Sequence, residues 1–241
     1  MTFYNRIVEA YDQLFPFNSK QLDLIEKGWS GNLVGKRILD MGCGTGSLAI
    51  QLARRSACVD AFDFDSMMIA KAEEKRPQAL NLRFRQGDMQ ALESMYKPAL
   101  FDAILCFGNT LVHLGDEHQV AEVLEAVSKR LKTGGRFLMQ IINYDRIIQN
   151  QVDHLSTIET PDYSFIRDYI HRPDGLIDFS TQLISKADKE ELHETIPLMP
   201  LRKSALMALM NGNFSKIQCF GGFDQSEWTE QSFHLVIEAV K

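Results

Sequence analysis

Between Arg37 and Ser47 an apolar strand-like run closes on Asp40 and turns at once into three alternate glycines, Gly42, Gly44 and Gly46. Glycine at these positions lets the backbone take positive φ and leaves no Cβ between the chain and a ligand. From Ser47 the apolar spacing turns helical, with Leu48, Ile50, Leu52 and Ala53 ahead of Arg54-Arg55. Strand, glycine loop and helix in that order describe an α/β crevice able to hold a nucleotide-like ligand.

Few classes of protein are compatible with the remainder of the chain. It has 241 residues, 45% of them hydrophobic, enough for one large domain or a domain with an insert. No apolar run approaches the ~20 residues that span a bilayer, and the Met-Thr-Phe-Tyr-Asn-Arg start has no signal-peptide core, so a cytoplasmic protein is expected. Cys43, Cys58, Cys106 and Cys219 form no CxxC pair, which favours reduced core thiols over disulfides or zinc, and no metal is expected. A net charge of −6 argues against gripping a phosphate backbone and for a small substrate. Neither DNA nor a membrane is expected as a partner; a homodimer is left open.

Spacings of three and four among Phe3, Tyr4, Ile7, Val8, Tyr11 and Leu14 predict an amphipathic helix, broken at Pro16 and followed by a second that Asn18 caps. Residues 1–30 thus form a helical cap. Cys58–Phe64 predicts a second strand ending near Asp63, about where nucleotide-binding units place the acid that meets ribose hydroxyls. A third strand leads to Gly87-Asp88-Met89, and the nearly continuous apolar Phe101–Phe107 predicts a fourth that exits at Gly108-Asn109-Thr110. An apolar stripe after Asp116 predicts a helix stopped by Gly134-Gly135, and Arg136–Ile142 a fifth strand. Repeated strand-then-helix units imply right-handed crossovers, an open parallel sheet and a ligand beyond the carboxyl ends of the strands.

After Tyr144 the pattern changes. Residues 147–160 are polar and ambiguous, whereas Tyr163–His171, the turn Pro173-Asp174-Gly175 and Leu176–Lys186 predict an antiparallel hairpin, with a third strand over Glu190–Ile196. Pro200 is expected to start a helix, and Lys216–Phe220 and Phe233–Val240 to pair at the edge of the main sheet. Residues 145–197 therefore read as a small antiparallel β insert within a single domain of residues 1–241, Rossmann-like with helices on both faces. The Tyr163–His171 face reads as packing rather than as a substrate cage, and His113 as a packing or surface histidine.

The order Asp40-x-Gly-x-Gly-x-Gly, Asp63, Gly87-Asp88 and Phe101-Asp102, each at a predicted strand end, resembles the class I S-adenosylmethionine-dependent methyltransferases over residues 36–142 and again in the final strand pair. The resemblance implies a seven-stranded, mostly parallel sheet whose last strand is antiparallel. It further implies S-adenosylmethionine as cofactor and S-adenosylhomocysteine as product. Carried over by position, Gly42, Cys43 and Gly44 approach the methionine part, with Asp40 behind the loop. Asp63 takes the ribose hydroxyls, Gly87-Asp88 the adenine amino group, Phe64 and Met89 flank the ring, and Cys106 and Phe107 lend backbone near the sulfonium. Since a sulfonium is already an activated donor, catalysis reduces mainly to in-line positioning and exclusion of water.

A narrower resemblance, to glycine N-methyltransferase and related small-molecule N-methyltransferases, rests on Phe101–Leu114 and Ile142-Asn-Tyr-Asp145. It implies methyl transfer to nitrogen of a small acceptor positioned by Asn109 and Tyr144; Tyr11 joins them as a candidate because the N-terminal helix can cap the pocket, against its reading as a core aromatic. That family has an arginine holding the substrate carboxylate where this chain has Ile142, and an apolar side chain makes no such bidentate contact. Arg146 and Arg167 are alternative cations. The Pro-Pro-aromatic motif of nucleic-acid amino-methylating enzymes, the Pro-Cys of cytosine carbon-5 enzymes and the paired glutamates of protein arginine methyltransferases are all absent. RNA or protein methylation, cofactor binding without transfer, and a nicotinamide dehydrogenase with Ser47 at its third glycine position are the competing readings.

Overall fold

A computed structural model describes residues 3–241, with side chains from Ile7 onward, so the side chains of Phe3 and Tyr4 lie outside the described residues. Helices α1 (Phe3–Leu14) and α2 (Ser19–Lys27) come first, the second capped by the Asn18 side chain on the Lys20 amide. Strands β1 (Arg37–Met41), β2 (Cys58–Asp63), β3 (Leu82–Gln86), β4 (Phe101–Cys106) and β5 (Leu131–Ile142) alternate with α3 (Ser47–Arg54), α4 (Ser66–Lys75), the short α5 (Leu92–Met95) and α6 (Glu117–Arg130). After α7 (Tyr144–Gln149) come β6 (His154–Glu159), β7 (Tyr163–His171), β8 (Ile177–Ser185) and β9 (Glu191–Leu198), then α8 (Lys203–Met210), β10 (Lys216–Phe220) and β11 (His234–Val240).

The main sheet runs β10-β11-β5-β4-β1-β2-β3. Its first five strands in sequence pair in parallel, and β11 lies antiparallel between β5 and β10. β11 thus occupies an interior place, and β10 takes the edge. Both faces are buried, which explains the near-continuous apolar strands. Alternation then sorts their side chains. Leu39, Met41, Ile104, Cys106, Phe137, Met139, Leu235 and Ile237 pack with α6 and α8 on one face. Ile38, Ala103, Leu105, Leu138 and Val236 pack with α2 and α3 on the other. Arg136 is buried on this second side, donating to the Ile25 and Leu24 carbonyls and to Glu238, so it ties the end of α2 to the sheet.

A separate antiparallel sheet, β6-β7-β8-β9, stands beside the main one. Phe165 and Leu183 on its inner face pack with Ile7, Val8, Ala10 and Leu14 of α1 and with Met68 of α4. Farther along the same face, Tyr169, Ile177 and Leu198 join the main core.

Several local expectations are corrected. Gly134-Gly135 do not separate α6 from the fifth strand; β5 starts at Leu131 and passes through them with a register shift against β4. Residues 144–149 are helical because Asp145 accepts from Arg202 Nε and the Lys203 amide, anchoring that turn to the start of α8. The same anchor lets α8 begin at Lys203 rather than at Pro200. The polar 147–160 stretch hides β6, a strand that has one neighbour, β7, and whose outer positions face solvent.

Candidate active site

The glycine turn joins β1 to α3 at the rim of the main sheet. Gly42, Gly44 and Gly46 all have positive φ (75°, 53° and 76°), as the sequence requires. Their missing side chains serve packing as well as access: a Cβ on Gly42 would meet Thr110 at 2.5 Å, one on Gly46 would meet Phe84 at 2.4 Å, and one on Gly44 would meet the Tyr11 ring at 3.1 Å. Tyr11 is therefore brought onto the loop, over Gly44.

Carboxylates line the strand ends beside this turn. Asp63 accepts from the Gly44 amide at 2.8 Å and from the Asp65 amide at 3.0 Å, which locks the turn to the end of β2. Each oxygen of a carboxylate has two acceptor sites, so both retain capacity for further donors. Asp40 is buried behind the turn, and burial, with the Asp63 charge added, pushes its carboxyl up to about 7. Burial also raises Asp63, against the amide bonds that lower it. At the end of β3, past Gly87, Asp88 accepts from the Gln90 amide at 2.9 Å and starts a 3₁₀ turn that holds Met89 half-buried. Phe64 is 72% exposed at the same rim, an apolar ring available to a planar ligand. Cys106 and Phe107 are buried at the end of β4, and burial takes the Cys106 thiol up to about 12, away from nucleophilic use.

At the exit of β4, Asn109 has φ 65°, a conformation uncommon for a residue other than glycine. Its Oδ1 accepts from the Ile142 amide at 3.0 Å, and its Nδ2 donates to the Tyr144 hydroxyl at 3.1 Å, so it staples the ends of β4 and β5. Tyr144 is fully buried, and its hydroxyl also bonds Tyr169 of β7. The residue expected to reach an acceptor is thus a link from the rim to the small sheet. Asn143 beside it donates to the Thr229, Glu230 and Ser232 carbonyls and fixes the loop before β11.

Sequence reasoning passed over two features. Asp12, one residue after Tyr11, accepts from Thr45 Oγ1 at 2.5 Å, Ser47 Oγ at 3.1 Å and Lys75 Nζ at 2.5 Å, binding α1 to the glycine loop and α4. The polar position on an otherwise apolar stripe was the signal. Tyr169, read as packing, shares the inner face of β7 with Arg167, already singled out as an alternative cation, and reaches Tyr144. Among the described residues no helix is long and apolar enough to cross a membrane.

Residues 38–135 match a family described as a methyltransferase domain. A ubiquinone biosynthesis O-methyltransferase of Xylella fastidiosa (strain M23) is 37% identical over 133 residues, 54% of this chain and 50% of that protein. The chain spans about half to two thirds of the length of the curated relatives it matches. A solved S-adenosylmethionine-dependent methyltransferase from Clostridium acetobutylicum ATCC 824 superposes with a TM-score of 0.83 over 99% of both chains, at 21% identity. The amino pentose methyltransferase CalS10 from Micromonospora echinaspora, solved with S-adenosylmethionine bound, superposes with a TM-score of 0.72 over 100% of this chain and 99% of its own, at 17% identity. Likenesses at such identity speak for the fold. Residues 38–135 are thus similar to a methyltransferase domain, and the chain shares its Rossmann-like fold with solved S-adenosylmethionine-dependent methyltransferases.

Proposed function

We propose that this chain is an S-adenosylmethionine-dependent methyltransferase that methylates a small acceptor at nitrogen. The observation that carries the reading is the Gly44–Asp63 bond, which aligns a glycine turn and a strand-end carboxylate, with Asp40 behind them and Asp88 past the end of the neighbouring strand β3. These residues fit the cofactor: carboxylates for its ribose hydroxyls and amines, an exposed ring for its base, and a turn without side chains for its amino-acid part. The bound cofactor supplies a methyl group already activated on a sulfonium.

The chain's own residues then bind and position. Asp63 accepts ribose hydroxyls, Asp88 the adenine amino group, and Phe64 and Met89 lie along the ring. Asp40 ionises beneath a cationic amino group, since a nearby positive charge opposes the burial that holds its proton. The Cys106–Phe107 backbone and Asn109 fix the end of β4, while Tyr11 and the small sheet exclude water from the acceptor side. An amine attacks through its neutral fraction, having given one proton to solvent beforehand, and the methylated ammonium product releases another afterwards, so a rim whose closest polar groups, Asn109 and Tyr144, are neutral need supply no base. Nitrogen is favoured by the Asn109 and Asn143-Tyr144-Asp145 segments and by the amino sugar acted on by the similarly folded enzyme. The curated relative named for oxygen methylation supports the second reading, a hydroxyl acceptor.

Incubating the purified chain with methyl-labelled cofactor and a metabolite extract tests this. Label entering filterable amines is the expected outcome; label entering only RNA or protein, or only hydroxyl compounds, contradicts the acceptor assignment.

A further inference from the structure

Two arginines, one on α7 after the rim and one on the small sheet, have no counter-charge among the described residues. Arg167, between Phe165 and Tyr169 on β7, donates Nη2 to the Ser156 carbonyl, but its Nε–H is buried with no hydrogen-bond partner. Arg146, in the first turn of α7, lies 5.2 Å from the Phe233 ring centre, and its Nε and Nη2 are likewise buried and unpartnered. The acids next to them in sequence are engaged elsewhere, Asp145 by Arg202 and the Lys203 amide, Asp168 by His154. Both arginine charges bear on one atom. The Tyr169 hydroxyl, pushed up to about 12 by burial, is drawn back by Arg167, by its bond with Tyr144 and by Arg146. Tyr144 in turn bonds Asn109, and α7, which carries Arg146, begins two residues after the end of β5, so both arginines connect through Tyr169 and Tyr144 to the ends of β4 and β5.

Buried guanidinium donors left unpaired are unfavourable, and native structures keep them where something else accepts. Planar forked donors match a carboxylate or phosphate. The geometry points to Arg146 and Arg167 as a clamp for an oxyanion, carboxylate or phosphate, carried by the methyl acceptor. This rests on the methyltransferase reading and extends it to a substrate class: an amine that also bears an acidic group. It places charge selection on α7 and the small sheet, while Ile142, at the end of β5, is uncharged.

The test uses the full chain labelled with 15N, with the arginine Nε–H signals followed by NMR. S-adenosylhomocysteine binding is first measured alone; its failure removes the methyltransferase reading itself and is seen before the anion is added. With that ligand saturating, acetate and inorganic phosphate are titrated separately. The expected result is a saturable shift of the Arg146 and Arg167 Nε–H signals by one of them, which identifies the acid. R146Q and R167Q are expected to weaken that anion roughly tenfold or more, as loss of a charge-assisted bond implies, with S-adenosylhomocysteine affinity unchanged. R167K, which keeps charge but loses the fork, should fall between. Linear, unsaturable shifts with both anions overturn the proposal, as does a shift of both signals by S-adenosylhomocysteine alone that leaves nothing for the anions to move. The titration of the unmodified chain decides the matter if a glutamine variant does not fold.

Discussion

The rim of the main sheet and the inner face of the small sheet are built in different ways. At the rim the carboxylates stand at strand ends and are held in part by amides a few residues on, as when Asp63 accepts from the Asp65 amide or Asp88 from Gln90. On the small sheet the polar groups are placed by long-range packing: Tyr169 meets Tyr144 only because β7 lies against the main core. Local geometry fixes the donor side, and assembly fixes the acceptor side. The two halves should therefore fail separately.

The largest separation is expected from Phe165→Ala. Truncating this buried ring, packed on α1 and α4, should cost about 3–5 kcal/mol of the stability holding the small sheet to α1. Hydrogen exchange should accelerate in β7 and β8 and leave β1 and β4 protected; uniform acceleration would show that the two regions unfold as one. Gly46→Ala strikes the other half. At φ 76° and with Phe84 2.4 Å from the new Cβ, it should lose about 2–4 kcal/mol and shift Tm together with cofactor affinity. A Tm change without an affinity change would detach the turn from the donor site.

Asp40 gives a smaller, pH-dependent effect. Its folded carboxyl titrates near 7, above the 3.8 of the unfolded chain, so the native state retains a proton that the unfolded state releases between those values. Stability of the chain without cofactor should fall as pH rises through that window, and Asp40→Asn should flatten the fall when Tm is measured from pH 4 to 8. A slope unchanged in the variant would assign the titration elsewhere. The smallest effect is expected at Lys75→Met, since its pair with Asp12 is partly exposed: under about 1 kcal/mol of stability, read by denaturant midpoint. A larger loss would mean that the Asp12 network does more than hold α1 in place.

This difference also explains what was legible in the sequence. The glycine turn, Asp40, Asp63 and Asp88 could be placed because strand ends announce themselves by apolar runs that stop, and Asn109 because its loop follows such a run. Likewise, the Tyr163–His171 alternation revealed β7. Burial of Tyr144 was not legible, because it depends on Tyr169, 25 residues away and on another sheet. Nor was β6, whose side chains alternate weakly because only one flank is paired, nor the start of β5, where Leu131 pairs Phe101 ahead of a register shift. Asp12 was overlooked because a polar residue on an amphipathic helix ordinarily faces water, whereas this one faces Thr45, Ser47 and Lys75.

The central claim is that the turn and the β2 carboxylate hold the methyl donor, and calorimetric titration with S-adenosylhomocysteine addresses it directly. The unmodified chain should bind at micromolar concentration. Asp63→Ala should weaken binding at least about 100-fold through loss of charge-assisted bonds, and Asp63→Asn, which keeps an acceptor for the Gly44 amide, should lose most of that affinity while retaining its fold. Equal binding by both variants, or no binding by the unmodified chain at millimolar ligand, would contradict the account.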